Sequence, residues 1–145
     1  MEICIRRLKA EDAEPLSRIE EQEFSMPWSA GDFSALTSRE NCLYLVAEAE
    51  GRVIGSCGMT FGFGEGNIDN VVVQRDFQNQ GIAQRLLEEL FIQGQQIGVE
   101  AYTLEVRVTN ARAIHVYEKL GFMPEGVRPR FYERPTEDAL IMWRR

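Results

Sequence analysis

Hydrophobic and polar residues alternate in several short runs of the chain, a spacing typical of half-buried β-strands. These runs occupy residues 2–8, 42–61, 67–74, 101–108, 122–133 and 138–144. The run at 42–61 is long enough for two strands, and Glu50-Gly51 in its middle favours a hairpin turn. The pattern therefore predicts seven strands.

Hydrophobic residues spaced three and four apart, as on one face of a helix, mark four other segments. These helical segments lie in 9–24, in 25–38, after Gly81 (with Ala83, Leu86, Leu87, Leu90 and Phe91 on one face) and in 110–122. Ser29 and Asn110 are suitable N-caps, and Gly121 suits the residue that follows the last helix. The order β-α-α-β-β-β-α-β-α-β-β predicts an α/β fold, with one mixed sheet and helices on both faces.

The composition indicates a soluble globular protein with one domain, residues 1–145. With 44% hydrophobic and 27% charged residues, the chain can form one substantial core but is short for two. Its apolar runs fall well short of the roughly 20 residues of a membrane helix. The amino-terminal MEICIRR has no apolar segment typical of a secretory leader. We therefore expect a cytoplasmic protein that does not enter membranes.

Acidic residues are concentrated in the first third of the chain. The net charge is −7, and residues 1–50 carry 11 acidic residues against 5 basic ones. Because nucleic-acid binders usually carry a basic stripe, we expect no direct nucleic-acid binding. An acidic surface attracts a cationic partner such as an amine or a basic peptide, although a solvated helix face accounts for the same charges.

Cysteine and histidine offer little for metal or disulfide chemistry. Cys4, Cys42 and Cys57 form no C-x-x-C pair, so a disulfide framework is not predicted. Because His115 is the only histidine, no zinc ligand set can be assembled and no metal is expected. The cysteines fall in strand-like apolar runs and are predicted to be core thiols, whereas His115 is predicted to lie at the surface.

The segment QNQGIAQ, residues 78–84, joins a valine-rich strand to the third helix. The first N–H groups of a helix have no intrahelical partner and carry partial positive charge, so a tight, uncrowded turn there can bind a phosphate. Gly81 supplies the turn and Ala83 allows close approach, which suits the pyrophosphate of one nucleotide-like cofactor. The P-loop and dinucleotide patterns are absent. A purely structural turn would have the same sequence.

The surrounding sequence narrows these alternatives. Gln78, Gly81 and Ala83 match the Q/R-x-x-G-x-G/A acetyl-CoA motif, and the chain resembles the GCN5-related N-acetyltransferase (GNAT) family from Glu2 to its end, most densely over 68–123. Within that family, four segments resemble the ribosomal-protein-alanine N-acetyltransferases: MPWS at 26–29, LEVR at 104–107, N-x-x-A-I-x-x-Y-E-x-L-G-F at 110–122 and EDALIM at 137–142. The resemblance implies a mostly antiparallel sheet, acetyl-CoA as cosubstrate and no metal.

The resemblance also implies the reaction and its acceptor. The expected activity is acetyl transfer to the α-amine of a basic protein N-terminus, in particular the N-terminal alanine of a small-subunit ribosomal protein. Another protein terminus, a lysine or a small amine remain alternative acceptors. A sensor module that binds an acyl-CoA without catalysis, or a purely structural subunit, would be the non-enzymatic alternatives.

Residue roles follow from the same resemblance. The backbone of Asn79, Gln80, Gly81, Ile82, Ala83 and Gln84 is expected to hold the pyrophosphate. Val71, Val72 and Val73 are expected to pair with the pantetheine arm, and Asn110 to contact its amide. Glu105 is expected to be the general base and Tyr117 the general acid. On spacing alone, Glu105 is an unremarkable exposed strand carboxylate, and Tyr117 could equally be a core aromatic residue.

Trp28, Arg130 and Tyr132 are the acceptor-binding residues that the resemblance implies, although a hydrophobic anchor for a helix end accounts for Trp28 as well. Arg130 and Tyr132 lie in RPRFYE, which corresponds roughly to a family R-x-Y-Y segment, but Pro129 and Phe131 depart from that pattern. These departures concern the acceptor and not the reaction. The glycine-rich segment 62–66 is expected to form a hairpin tip near the acceptor side.

Overall fold

The elements follow one another in the predicted order in a computed structural model that describes residues 2–145. The strands are β1 (Ile3–Arg7), β2 (Cys42–Ala49), β3 (Arg52–Gly62), β4 (Glu65–Val73), β5 (Ala101–Arg107), β6 (Met123–Tyr132) and β7 (Glu137–Arg144). The helices are α1 (Ala13–Glu23), α2 (Ala30–Leu36), α3 (Ile82–Gln96) and α4 (Ala111–Lys119), with short 3₁₀ turns at Ala10–Asp12 and Arg75–Phe77. The predicted α/β class is confirmed.

The seven strands form one sheet in the order β1-β2-β3-β4-β5-β7-β6. Every neighbouring pair is antiparallel except β4 and β5, which run parallel. The expectation of a mixed, mostly antiparallel sheet is therefore confirmed.

Helices cover both faces of this sheet, as predicted. On one face, Leu86, Leu87 and Leu90 of α3 are fully buried against the strands, and α4 packs beside them. On the other face, Leu16 of α1 and Phe33 of α2 pack against the opposite side of β2. Because side chains alternate along a strand, neighbouring residues of β2 supply both cores.

The predicted helix ends have the expected chemistry. The Ser29 hydroxyl accepts a hydrogen bond from the Asp32 N–H (3.1 Å), and the Asp32 carboxylate accepts one from the Ser29 N–H (2.8 Å). Asn110 caps α4 by accepting from the Ala113 N–H (3.2 Å). Gly121 follows the helix with φ of 96°, a left-handed conformation that suits glycine.

Two expectations are wrong. The glycine-rich tip lies away from the acceptor side, because the Glu100 N–H donates to the Gly64 carbonyl (2.7 Å) at the opposite end of β4 from Val73. Cys4 is exposed on β1, an edge strand of the sheet, rather than in the core. Cys57 is buried and Cys42 partly so.

Among residues 2–145, no helix is both long and apolar enough to cross a membrane.

Candidate active site

Strands β4 and β5 enclose a gap in the middle of the sheet. They pair at Glu65–Asn67 and Ala101–Thr103 and then separate. Beyond this point β4 carries a β-bulge, because its register with β3 shifts between Ile68 and Asn70 and makes Asp69 the extra residue. The separation leaves strand backbone facing an open space.

Two clefts open on this gap. The α3 cleft, of about 480 Å³, lies at the amino-terminal end of α3 and includes residues 81–84. The β5 cleft, of about 640 Å³, lies between residues 104–107 of β5 and the loop between α1 and α2. Residues that line both clefts are Glu23, Phe24, Val71, Asn110, Ala113 and Tyr117. The clefts are therefore continuous, and ligands bound in each would meet at the gap.

Free backbone amides line the α3 cleft. Asn79 and Gly81 have φ of 63° and 78°, and these left-handed residues turn the chain sharply into α3. Among residues 2–145, no acceptor takes a hydrogen bond from the N–H groups of residues 79–84. The space beside the Gly81 Cα is also open. Such a cluster of amides at a helix start can bind a diphosphate.

Gln80 alone of residues 78–84 does not line the α3 cleft, because its side chain turns away and donates to the Asp76 carbonyl (3.3 Å). Its backbone remains part of the turn. Along the neighbouring strand, Val71–Val73 pair with Gly55–Cys57 of β3 on one edge, while the other edge faces the gap. An extended amide-containing chain could pair with that free edge.

Sequence analysis missed the side chain that braces this turn. The Gln78 amide donates to Glu23 (2.8 Å) and to the Val73 carbonyl (2.9 Å), and its oxygen accepts from Arg112 (3.0 Å). Gln78 therefore ties α1, β4 and α4 to the turn. Arg112 and Lys119 line the cleft on one face of α4. Two basic residues seven apart share a helix face, so their spacing was a sequence signal for a positively charged face.

Glu105 and Tyr117 both line the β5 cleft, and Tyr117 also lines the α3 cleft. The Glu105 carboxylate forms an ion pair with the Arg128 guanidinium (3.3 Å), and its side chain is 19% exposed. Tyr117 lines both clefts and packs edge-on against Phe122, with ring centroids 5.8 Å apart. Burial raises the pKa of the Tyr117 phenol above its usual range. A carboxylate and a protonated phenol thus border the same space.

Two of the three expected acceptor-binding residues line the β5 cleft. Trp28 and Tyr132 are there, and the Arg107 guanidinium lies 4.5 Å from the Tyr132 ring centre. Burial, reinforced by the negative charge of Glu105, raises the pKa of Tyr132 to about 12. Arg130 lies outside the cleft, because β6 bulges between Arg128 and Tyr132 and leaves its side chain exposed.

The β5 cleft also contains carboxylates that sequence analysis assigned no role. Glu20 is 1% exposed and accepts from the Trp28 N–H and the Asn70 amide, both at 2.9 Å. Burial raises the pKa of Glu20. Glu137 pairs with Arg107 (3.1 Å). Glu20 lies on the apolar face of α1. A charged residue on that face was the sequence signal that Glu20 is buried and has polar partners.

Comparison with known proteins places this site in a family. The profile of the Acetyltransferase (GNAT) family matches residues 13–122. The ribosomal protein bS18-alanine N-acetyltransferase of Escherichia coli (strain K12) is 33% identical over 142 residues, covering 95% of this chain and 94% of the relative. The Salmonella typhimurium protein of the same name is 36% identical over 129 residues, covering 86% and 85%.

A solved structure agrees with these relatives. The crystal structure of the ribosomal-protein-S18-alanine N-acetyltransferase from Escherichia coli matches with a TM-score of 0.90 at 32% identity, covering 99% of this chain and 93% of that one. The family profile spans most of the chain, and the sequence and fold similarities extend over nearly all of it. The chain therefore belongs to the GNAT family of acetyltransferases and is an acetyl-CoA-dependent N-acetyltransferase.

Proposed function

We propose that the protein acetylates the α-amine of a protein N-terminus, and that its acceptor is the N-terminal alanine of a small-subunit ribosomal protein. The relatives that match along most of the chain carry that activity in their names. The observation that carries the proposal is the continuity of the two clefts, with Glu105 and Tyr117 both lining the β5 cleft and Tyr117 lining the α3 cleft as well. We further propose that residues 1–145 act as one domain in the cytoplasm, where ribosomal proteins are made.

The donor occupies the α3 cleft. Backbone N–H groups of residues 79–84 hold its pyrophosphate, and Arg112 and Lys119 add positive charge for the phosphates. The free edge of Val71–Val73 pairs with the pantetheine arm, and Asn110 contacts an amide of that arm. These contacts would direct the thioester to the gap.

At the gap, protein groups handle two protons. Glu105 takes a proton from the ammonium group of the acceptor, directly or through a water, so that the nitrogen can attack the thioester carbonyl carbon. Backbone N–H groups of β4 stabilise the charge that develops on the carbonyl oxygen. The new C–N bond forms as the C–S bond breaks, and Tyr117 donates its proton to the departing sulfur. The nitrogen then loses its second proton to the Tyr117 phenolate, directly or through a water, which leaves a neutral amide and a neutral phenol.

The acceptor occupies the β5 cleft. Trp28 and Tyr132 line it, as do Arg134 and Pro135 from the β6–β7 hairpin. Arg130 could bind the acceptor only if its exposed side chain rotated toward Arg134 and Pro135. Arg134 already lines the cleft, the position expected of Arg130.

The test is an acetylation assay with short peptides that begin with Ala, Ser, Met or Gly, read by mass spectrometry. We expect the Ala peptide to acquire one acetyl group on its α-amine at the highest rate. Peptides with a blocked terminus and a free lysine are the control. Acetylation confined to lysine, or to small amines, would contradict the proposed acceptor while leaving the family chemistry in place.

A further inference from the structure

Asp69 occupies an unusual position in β4. It is the extra residue of the β-bulge, between Ile68 and Asn70, whose partners in β3 are adjacent residues. A bulge redirects a side chain that regular pairing would place elsewhere. Asp69 lines the β5 cleft, and more than a third of the residue remains exposed.

Only hydroxyl groups hold the Asp69 carboxylate. Its Oδ2 accepts from the Thr60 hydroxyl (2.8 Å) and the Tyr44 hydroxyl (3.3 Å). Within the described chain, residues 2–145, its Oδ1 takes no hydrogen bond, and no cationic group lies within 4.0 Å of the carboxylate. Partial burial of the carboxylate end raises the pKa of Asp69, and the charge of Glu105 acts in the same direction.

The other carboxylates of the β5 cleft already have partners. Glu105 pairs with Arg128 (3.3 Å), Glu137 with Arg107 (3.1 Å) and Glu23 with Arg75 (3.4 Å). Glu20 is buried and accepts two N–H groups. Asp69 therefore differs from all four, because it is accessible and, among residues 2–145, forms no ion pair; the positive charge of Arg39 acts on it only from beyond contact distance.

We propose that Asp69 binds a cationic side chain, arginine or lysine, at the second or third residue of the acceptor peptide. This inference rests on the proposed function. Asp69 precedes Val71 by two residues, or roughly 6–7 Å along a strand, so it lies about two peptide residues from the junction where the α-amine reacts. The α-amine itself belongs beside Glu105. The charge at Asp69 thus selects among N-termini and takes no part in the chemistry.

The experiment compares two matched peptides that begin with alanine. One has arginine at positions 2 and 3, and the other has citrulline, which keeps the shape and removes the charge. We expect the wild-type enzyme to favour the arginine peptide in kcat/KM by about tenfold, the equivalent of about 1.4 kcal/mol. Asp69→Asn should reduce that ratio to near one, because asparagine keeps an oxygen for the Thr60 hydroxyl but has no charge.

Glu65→Gln is the matched control, since Glu65 is an exposed acidic residue at the far end of the same strand. It should retain the tenfold preference. Asp69→Ser, with melting temperatures for all variants, separates a loss of selectivity from a loss of folding. An unchanged arginine preference in folded Asp69→Asn would overturn the inference. Equal wild-type rates on the arginine and citrulline peptides would overturn the inference and leave the proposed N-terminal acetylation standing. If neither peptide were acetylated, both the inference and the proposed function would be refuted.

Discussion

At the scale of single residues, the proposed reaction depends on two groups that are held in different ways. Glu105 lines the β5 cleft and pairs with the Arg128 guanidinium (3.3 Å), so a competing cation already lies beside its carboxylate. Tyr117 is held by packing against Phe122, and burial raises the pKa of its phenol further above the ordinary value of about 10. To act as the proposed base, Glu105 must give up part of its contact with Arg128 when the ammonium group of the acceptor arrives.

The role of Tyr117 is tested by Tyr117→Phe, which removes only the hydroxyl. We expect kcat to fall about 100-fold, in the range typical of a lost general acid. The dissociation constant for coenzyme A, measured by calorimetry, should change by less than about twofold, because the ring and its packing remain. An unchanged kcat would contradict the assignment of Tyr117 as the acid.

The role of Glu105 is tested by the pH dependence of Glu105→Gln. An α-amine has a pKa of about 8, so below that pH it must lose a proton before it reacts. We expect the variant to lose about 100-fold in kcat/KM at neutral pH. The loss should shrink as pH rises through the pKa of the amine, because the acceptor then arrives unprotonated. A loss that is the same at every pH would mean that Glu105 does not remove this proton.

At the scale of elements, the junction between β4 and α3 forms the proposed donor site. Gly81 has φ of 78° and open space where a Cβ would be, and Gly98, after α3, has φ of 91° and equally open space. Both glycines adopt the left-handed backbone conformation, at opposite ends of α3. They differ in that only Gly81 lies in the α3 cleft.

That difference gives a matched pair of variants. Gly81→Ala and Gly98→Ala should each lower the free energy of unfolding by about 1 kcal/mol, the cost of a left-handed alanine. Only Gly81→Ala should also weaken coenzyme A binding, because it distorts the amides of residues 79–84. Calorimetric titration and thermal unfolding of both variants provide the measurement. Equal affinities for coenzyme A in the two variants would place the pyrophosphate elsewhere.

A second pair of variants tests how β1 is attached to the rest of the fold. Asp12, 2% exposed, accepts hydrogen bonds from both terminal nitrogens of Arg6 (2.8 and 2.9 Å) and from the Lys9 N–H (2.7 Å). Burial alone would raise the pKa of Asp12, but these hydrogen bonds outweigh it and lower the pKa. The stability that Asp12 contributes is therefore present above its unfolded pKa and is lost as pH falls through the folded one.

Asp12→Asn should lower the free energy of unfolding by about 2 kcal/mol at pH 7, because it removes the buried charge that pairs with Arg6 and leaves Glu48 as the only carboxylate partner of Arg6. The difference from wild type should narrow below about pH 4, where the unfolded carboxyl begins to be protonated. Glu14→Gln, which removes an exposed ion pair with Arg18 (3.7 Å), is the control and should cost less than about 1 kcal/mol. Denaturant titrations at several pH values provide the measurement.

The elements themselves were predictable because their signals are local. Alternation in TLEVR placed Glu105 and Arg107 on one face, and Asn110 and Gly121 bounded α4 as expected. Asp69 and Arg130 were beyond reach for a common reason: bulges in β4 and β6 redirect these residues, and a bulge depends on the partner strand. Gln78 was matched as a motif letter, but its three side-chain contacts join elements distant in sequence.

At the scale of the whole molecule, the two clefts differ in charge. Arg112 and Lys119 line the α3 cleft, which suits a polyphosphate, while acidic residues outnumber basic ones along the β5 cleft. The clefts meet at Val71 and Tyr117. An anionic donor and a cationic acceptor would thus enter from different sides and be brought together only where the sheet opens.

The most direct test of this account is a crystal structure of the protein with coenzyme A and a peptide that begins with alanine. We expect the pyrophosphate oxygens about 3 Å from the N–H groups of residues 79–84, the usual distance of a hydrogen bond. The sulfur should lie beside Tyr117, and the peptide α-amine should face Glu105 from the β5 cleft. Coenzyme A bound away from the α3 cleft, or a peptide terminus outside the gap between β4 and β5, would contradict the account.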